Sequence, residues 1–276
     1  MKRRLLFRPE WLVYGAVLFL AIIVVCAAVP QWIAPYSPTE MNPANVLKPP
    51  SSAHLFGTDF MGRDVLSVVV YGSRDSLIIG VASVTFAVII GGAIGVLAGY
   101  AGGLLDTIMM RLVEILMTIP GILMALAIAA ALKPSLFNVV LAIAISAVPG
   151  YARVLRGQVL SIRSRPYITA AHSIGTSETA IFFRHVLPNS WSPLLVMATI
   201  GLGTSILVGS GLSFLGLGII KEVPDWGAFL SQGRSYLMVA WWMSTFPGLT
   251  ITLLVLSVNL LGDRLRDYLD PRSRRT

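Results

Sequence analysis

Six apolar stretches, each about as long as a lipid bilayer is thick, constrain this 276-residue chain more than any other feature. A transmembrane helix needs roughly 20 mostly apolar residues. The stretches that qualify are about 11–29, 77–100, 109–132, 136–152, 191–213 and 240–261. Only 12% of the residues are charged, too few for the surface of a soluble domain. The sequence therefore predicts an all-α integral membrane protein with six transmembrane helices, in contact with membrane lipid.

The lysines and arginines are distributed unevenly between the two sides that these helices define. Short loops rich in Lys and Arg stay on the cytoplasmic side of a membrane. With the N-terminus inside, fifteen of the 21 Lys and Arg residues lie on the inner side and six on the outer side. We therefore expect both termini to be cytoplasmic. The net charge of +8 then reflects this asymmetry and not a nucleic-acid partner.

This topology divides the chain into an external segment, a membrane core and two tails. Because Pro30 and the two residues after it offer no small-residue cleavage site, the first apolar run is expected to remain as an anchor helix. The predicted parts are a cytoplasmic tail 1–10, the first transmembrane helix 11–29, an external segment 30–76, a five-helix core 77–263 containing a basic cytoplasmic loop 153–190, and a cytoplasmic tail 264–276.

Glycine and proline mark special positions within the predicted spans. Gly91, Gly95 and Gly99 lie on one helical face, so another backbone can approach closely there. We predict a packing seam with another span or with a partner subunit, although glycine is also common in membrane helices generally. Pro120 and Pro247 interrupt the helical hydrogen-bond ladder, as a tolerated kink or as a hinge.

The sequence lacks the residues that several kinds of transport and catalytic chemistry require. The six predicted spans contain no charged residues apart from Arg111 and Glu114, which lie three residues apart on one helical face and can pair. Ion-coupled transporters usually need charged groups at membrane depth, so such a carrier is disfavoured. No lysine follows a glycine as in a phosphate-binding loop, so we expect no ATP hydrolysis by this chain. The three histidines lack metal-ligand spacing, and no metal site is expected.

The basic loop carries the pattern of two short helices. The first begins at Pro166 and is capped by Gly175 in a left-handed conformation. Thr176 or Ser177 caps the second, which is predicted to end at Pro188. With its aromatic side chains and flanking arginines, such an element suits docking into a groove of a soluble partner. An amphipathic helix lying on anionic lipid is the alternative.

The same loop resembles that of permease subunits of binding-protein-dependent ATP-binding-cassette (ABC) importers, which reads Glu-Ala-Ala, three residues, Gly and later Leu-Pro. The matching residues in this chain are Ala170, Ala171, Gly175, Leu187 and Pro188. Thr169 stands where the family usually has Glu. Four further segments resemble the second, C-type permease of the dipeptide, oligopeptide and nickel group, and they are 56–64, 213–218, 224–227 and 259–267.

This resemblance implies a type I ABC importer permease fold in a bacterial inner membrane, with segment 30–76 in the periplasm. It implies a heterodimer with a second permease, two cytoplasmic ATPase subunits that bind ATP and Mg, and an external substrate-binding protein. The chain itself is then a non-catalytic subunit without a bound cofactor, and its cargo is dipeptides or oligopeptides. Nickel chelates, glutathione or opines are alternative cargoes, and a membrane scaffold or an ion-coupled carrier is an alternative of another class.

Three sets of site residues are expected from the resemblance and from position. Coupling to the ATPases is assigned to Thr169, Ala170, Ala171, Gly175, Phe182, Phe183, Arg184, Leu187 and Pro188. Docking of the binding protein is assigned to Asp59, Arg63, Asp64 and Asp225. Internal bracing of the external segments, which are 30–76 and a further outside segment at about 214–239, is an equal alternative. The translocation path is assigned to Asn138, Ser205 and Ser210 from their positions alone.

Overall fold

The chain folds into a bundle of α-helices in a computed structural model that describes residues 10–269. No β-strand occurs within this range, so the predicted all-α fold is confirmed. Most of the two predicted tails lies outside the described residues. The helices are α1 Glu10–Ala28, α2 Pro30–Ile33, α3 Val65–Ala101, α4 Gly103–Met117, α5 Gly121–Ala131, α6 Leu136–Arg163, α7 Pro166–Ser173, α8 Glu178–Ile181, α9 Leu187–Phe214, α10 Trp226–Arg234 and α11 Trp242–Leu269.

The third predicted span, 109–132, is broken near Pro120, the proline that the sequence predicts to interrupt its helix. Its place is taken by α4 and α5, which are bent by 86° at the break that follows Met117. Pro120 has no N–H with which to continue the ladder of α4. Its carbonyl oxygen instead accepts hydrogen bonds from Leu123 and Met124 and so begins α5. Each of the other five predicted spans is one long apolar helix.

Helices α3 and α6 are among those that extend beyond their predicted bounds. Helix α3 begins at Val65 and not near 77, because the carboxylate of Asp64 caps its first turn by accepting a hydrogen bond from the Ser67 N–H. Helix α6 continues to Arg163 instead of ending near 152. The external segment is therefore shorter, and α6 extends directly into the basic loop.

The second helix of the basic loop does not end at Pro188. It continues into the fifth span, and Glu178–Phe214 is one helix of 37 residues. A π-helical turn over Phe182–Val186 interrupts the regular ladder of hydrogen bonds directly before Pro188. Pro188, which has no N–H to donate, thus lies directly after a segment in which the regular hydrogen bonds are already interrupted. The chain can therefore continue as a helix through Pro188.

The glycines of the predicted seam lie against α6 of the same chain. A Cβ atom placed on Gly91, Gly95 or Gly99 would stand 3.0 Å or less from an atom of α6, and on Gly95 it would collide with the carbonyl oxygen of Ala152. Because these residues lack side chains, the two helix backbones approach closely. Helices α3 and α6 therefore pack as one unit.

Replacing Gly95 with leucine should separate this pair. Overpacking of this kind costs about 1–3 kcal/mol, so we expect less assembled protein and a lower melting temperature in detergent. Gly15→Leu is the matched control, because a Cβ on Gly15 has no neighbour within 4 Å. Equal melting temperatures for the two variants would contradict the close approach of α3 and α6.

Helix α10 folds back into the end of the bundle that is opposite the basic loop. Trp226 and Phe229 are each 1% exposed. The indole N–H of Trp226 donates a 2.8 Å hydrogen bond to the carbonyl oxygen of Val69 in α3. The indole N–H of Trp242, at the start of α11, donates at 2.9 Å to the carbonyl oxygen of Thr58. These two tryptophans tie the external segments to the helix ends.

Candidate functional site

Residues 164–186, between α6 and α9, are the non-spanning part of the predicted basic loop 153–190, and we name them the coupling loop after the role that the sequence predicts. They have the helix–turn–helix shape that the sequence indicates. Helix α7 begins at Pro166, and Gly175 follows it with a φ of +80°. The hydroxyl oxygen of Ser177 accepts a hydrogen bond from the Ala180 N–H and caps α8. A positive φ is accessible to glycine without strain. The turn at Gly175 therefore sets the direction in which α7 points.

Three apolar side chains fix the coupling loop to the bundle. Ile168, Ile181 and Val186 are at most 2% exposed and belong to one core cluster with Val159 and Ile162 of α6. Because these side chains face the bundle, the opposite surface of the loop is exposed. The predicted coupling residues divide accordingly. Exposed are Thr169, Ala170, Gly175, Phe183, Arg184 and Pro188; Ala171 is buried, and Phe182 and Leu187 are half-buried.

A polar cluster joins the coupling loop to the end of α3. The hydroxyl of Tyr100 lies 2.7 Å from the carbonyl oxygen of Glu178 and 2.8 Å from the Glu178 carboxylate, and its single proton is shared between these two acceptors. His172 of α7 lies 3.3 Å from the same carboxylate. The guanidinium of Arg163 donates to the carbonyl oxygens of Gly99 and Tyr100. The sequence interpretation missed this cluster, because its members come from three separate segments.

A second ion pair connects α4 to α6 near the same end of the bundle. Arg156 donates two hydrogen bonds of 2.6 Å to the carboxylate of Asp106. This two-point geometry is among the stronger forms of ion pair. The predicted pair of Arg111 and Glu114 is also present, at 3.2 Å, but both of its side chains are largely exposed. Asp106 holds the first arm of the broken span against α6.

A cavity of about 420 Å³ lies between the α4–α5 break and helices α6 and α9. The break between α4 and α5 forms one wall, and Pro149 of α6 and Gly201 of α9 contribute the others. None of the described residues that line it is charged. Its larger and polar lining side chains include Met117, Met124, Ser146, Tyr151, Met197 and Thr204. The cavity thus offers hydroxyl and thioether groups in an uncharged surface.

The three residues predicted for a translocation path lie in different places. Ser205 lines the cavity. Asn138 lies at the start of α6, where its amide donates to the carbonyl oxygen of Lys133. The backbone of Ser210 lies against Gly227 of α10. Asn138 and Ser210 are therefore not among the residues that line the cavity.

The acidic and basic side chains predicted to dock a binding protein are buried. Asp59, Arg63, Asp64 and Asp225 are at most 3% exposed. The Nε of Arg63 donates to Asp59 at 2.7 Å, and its Nη1 donates to the carbonyl oxygen of Glu222 at 3.2 Å. The docking assignment for these four side chains is therefore not supported, because they expose too little surface to contact a second protein in this arrangement.

The buried carboxylates instead brace the external segments. Asp64 lies 3.0 Å from Nδ1 of His54, in addition to capping α3. Asp225 caps α10 and accepts a 2.9 Å hydrogen bond from the hydroxyl of Ser213. Burial raises the pKa of the Asp225 carboxyl above its ordinary value, and the Ser213 hydroxyl opposes this shift. Both carboxylates thus act in internal bracing.

Comparison with known proteins connects these features to a family. Residues 91–275 match the family described as binding-protein-dependent transport system inner membrane component. The chain is 43% identical to the di/tripeptide transport system permease protein DppC of Pseudomonas aeruginosa, over 94% of this chain and 87% of that protein. It is 42% identical to the glutathione transport system permease protein GsiD of Escherichia coli, over 96% of this chain and 88% of that protein.

Solved structures show the same fold. The chain matches a chain of the MetNI methionine ABC transporter in an inward-facing conformation with a TM-score of 0.61 and 21% sequence identity. The match covers 74% of this chain and 97% of that one. The predicted ABC permease fold is therefore confirmed.

Proposed function

Because the chain belongs to the family of binding-protein-dependent transport system inner membrane components, we propose that it is a permease subunit of an ATP-driven importer of dipeptides or oligopeptides. It resides in a bacterial inner membrane. The observation that carries the peptide assignment is the similarity, over almost the whole chain, to a di/tripeptide permease. The coupling loop and the uncharged cavity give this subunit the two surfaces that such a function needs.

Glutathione is the second candidate cargo, because glutathione permeases match the chain over an equally large part of its length. Glutathione is itself a tripeptide, so the same hydroxyl-bearing cavity suits both cargoes. Nickel chelates and opines remain predictions from the sequence resemblance alone.

The cavity is the half of the translocation path that this chain contributes. It opens at the surface of the bundle, so a second permease closes it from the facing side. Its hydroxyl groups exchange hydrogen bonds with the peptide groups of the cargo, replacing those that water supplied outside. Because its described lining is uncharged, neither terminus of a peptide is held tightly enough to block release.

The exposed surface of the coupling loop is where a cytoplasmic ATPase docks. ATP and Mg bind to two such partner subunits, and this chain is non-catalytic and holds no cofactor. Helix α7 enters a cleft of the ATPase, with Phe183 and Arg184 as exposed anchors. Closure of the ATPases on ATP then shifts the balance between two arrangements of the bundle. An external binding protein delivers the cargo to the braced outer segments.

Affinity purification of the tagged chain from native membranes in a mild detergent tests this assignment. We expect a second permease and two ATPase subunits to co-purify at fixed stoichiometry. Crosslinking in intact membranes before solubilisation serves as the control for loss of subunits in detergent. Recovery of this chain alone after crosslinking would instead support the scaffold or the ion-coupled carrier.

A further inference from the structure

Helix α3 spans the whole distance between the external segment and the coupling loop. Its 37 residues, at 1.5 Å per residue, extend over roughly 55 Å. Its first turn is capped by Asp64, which also lies 3.0 Å from the His54 ring of the external segment. Its last turn carries Tyr100, which bonds to the coupling loop. One rigid element therefore touches both surfaces at which partners are proposed to dock.

The other long helices that meet the coupling loop are covalently connected to it. Helix α6 leads into α7 through two residues, and α8 leads into α9 through the π turn. Helix α3 instead continues into α4 through a turn at Gly102 and Gly103, so it has no such covalent connection to the loop. Noncovalent contacts must therefore carry any force between the loop and α3.

Tyr100 provides the direct contact of this kind. Its hydroxyl lies within 2.8 Å of two oxygen atoms of Glu178, the first residue of α8. Its ring meets the ring of Phe182 with centroids 4.7 Å apart. A hydrogen bond to an ionised carboxylate is stronger than one between neutral groups. The contact therefore holds α8 in a defined position relative to the end of α3.

Arg163 fixes the end of α3 to α6 beside this contact. The last carbonyl groups of a helix have no partner within the helix. Arg163 donates to two of them, on Gly99 and Tyr100, and its guanidinium lies 5.2 Å from the centroid of the Tyr100 ring. Together with the glycine seam, this holds the end of α3 against α6 and places Tyr100 beside α8.

We infer that Tyr100 and Glu178 are positioning residues that transmit the state of the external segment, through α3, to the coupling loop. The inference rests on the proposed function. When a loaded binding protein docks outside, α3 shifts at its outer end, and the Tyr100–Glu178 contact carries this shift to the surface that meets the ATPase. The contact thereby links substrate arrival to the stimulation of ATP hydrolysis.

The test measures ATPase activity of the assembled complex in proteoliposomes, with and without binding protein loaded with dialanine, trialanine or glutathione. In Tyr100→Phe we expect basal hydrolysis to be unchanged and the stimulation ratio to fall about tenfold, the scale of a lost hydrogen bond to a charged group. Tyr71→Phe, the same substitution at the other end of α3, should keep the wild-type ratio.

Two Glu178 variants separate transmission from folding. The Glu178 side chain is 69% exposed, so its replacement should not unfold the chain. Glu178→Gln keeps a side-chain acceptor oxygen and should retain most of the stimulation. Glu178→Ala removes the carboxylate but leaves the backbone carbonyl oxygen, so it should lower the stimulation, and Tyr100→Phe combined with Glu178→Ala should be no worse than Tyr100→Phe alone.

Wild-type stimulation in both Tyr100→Phe and Glu178→Ala would overturn the inference, and so would effects that multiply in the double variant. A wild-type complex that no loaded binding protein stimulates would overturn the proposed function as well. The wild-type measurement thus distinguishes a failure of this inference from a failure of the proposed function.

Discussion

Replacing Gly175 with valine should abolish most uptake while the partner ATPases continue to hydrolyse ATP. Gly175 has a φ of +80° and a Cβ placed on it would meet no atom within 4 Å, so the effect comes from the backbone and not from a clash. A β-branched residue at this φ is strained by about 1–3 kcal/mol. The strain favours arrangements in which α7 points away from the ATPase cleft. Uptake per ATP hydrolysed should fall at least about tenfold.

Gly175→Asn is the matched control, because asparagine adopts the left-handed conformation more readily than other non-glycine residues. It should keep most of the uptake although it also adds a side chain at the same position. Both rates are measured in the same proteoliposomes. Equal losses in the valine and asparagine variants would show that bulk at this surface matters and that the direction of the turn does not.

Replacing Arg63 with methionine should destabilise the external segment by about 3–5 kcal/mol, as when one partner of a buried ion pair is removed. Arg63 and Asp59 are 3% and 0% exposed, so the carboxylate would be left without its cation and without water. We expect a lower melting temperature of the complex in detergent and faster proteolysis between α1 and α3.

Two further variants identify the cause. Removing both charges, in Asp59→Leu with Arg63→Met, should recover much of the loss, because replacing a buried pair with apolar groups is often neutral. Lys221→Met breaks the pair between Lys221 and Asp75, in which the lysine is 45% exposed. That exposed pair should contribute less than about 1 kcal/mol. A similar loss for Lys221→Met and Arg63→Met would contradict the bracing role of Arg63.

The positions of the spans could be predicted from the sequence, whereas the size of the bend at each proline could not. Length and apolar content place a helix in the membrane whatever its partners are. Pro120 and Pro247 illustrate the limit. The first stands at an 86° break, whereas the second lies inside the continuous helix α11. Each of the two prolines lacks the backbone N–H that would donate one helical hydrogen bond. The surrounding packing determines whether the helix continues in the same direction.

The external carboxylates show why the sequence left docking and internal bracing as equal alternatives. The run Asp59, Arg63 and Asp64 has the spacing of an internal ion pair and the composition of a polar docking surface. Burial separates the two interpretations, and burial depends on α10 and on the residues around Glu222, far away in the sequence. In the coupling loop, by contrast, Pro166, Gly175 and Ser177 act locally. Their roles as helix start, turn and cap could therefore be predicted.

The most direct test of the account is cargo uptake by the reconstituted complex. We expect radiolabelled dialanine, trialanine or glutathione to accumulate in proteoliposomes only when binding protein and ATP are both present, without dependence on a proton or sodium gradient. Uptake that follows an ion gradient in the absence of ATP, or that proceeds with this chain alone, would contradict its role as an ATP-coupled permease subunit.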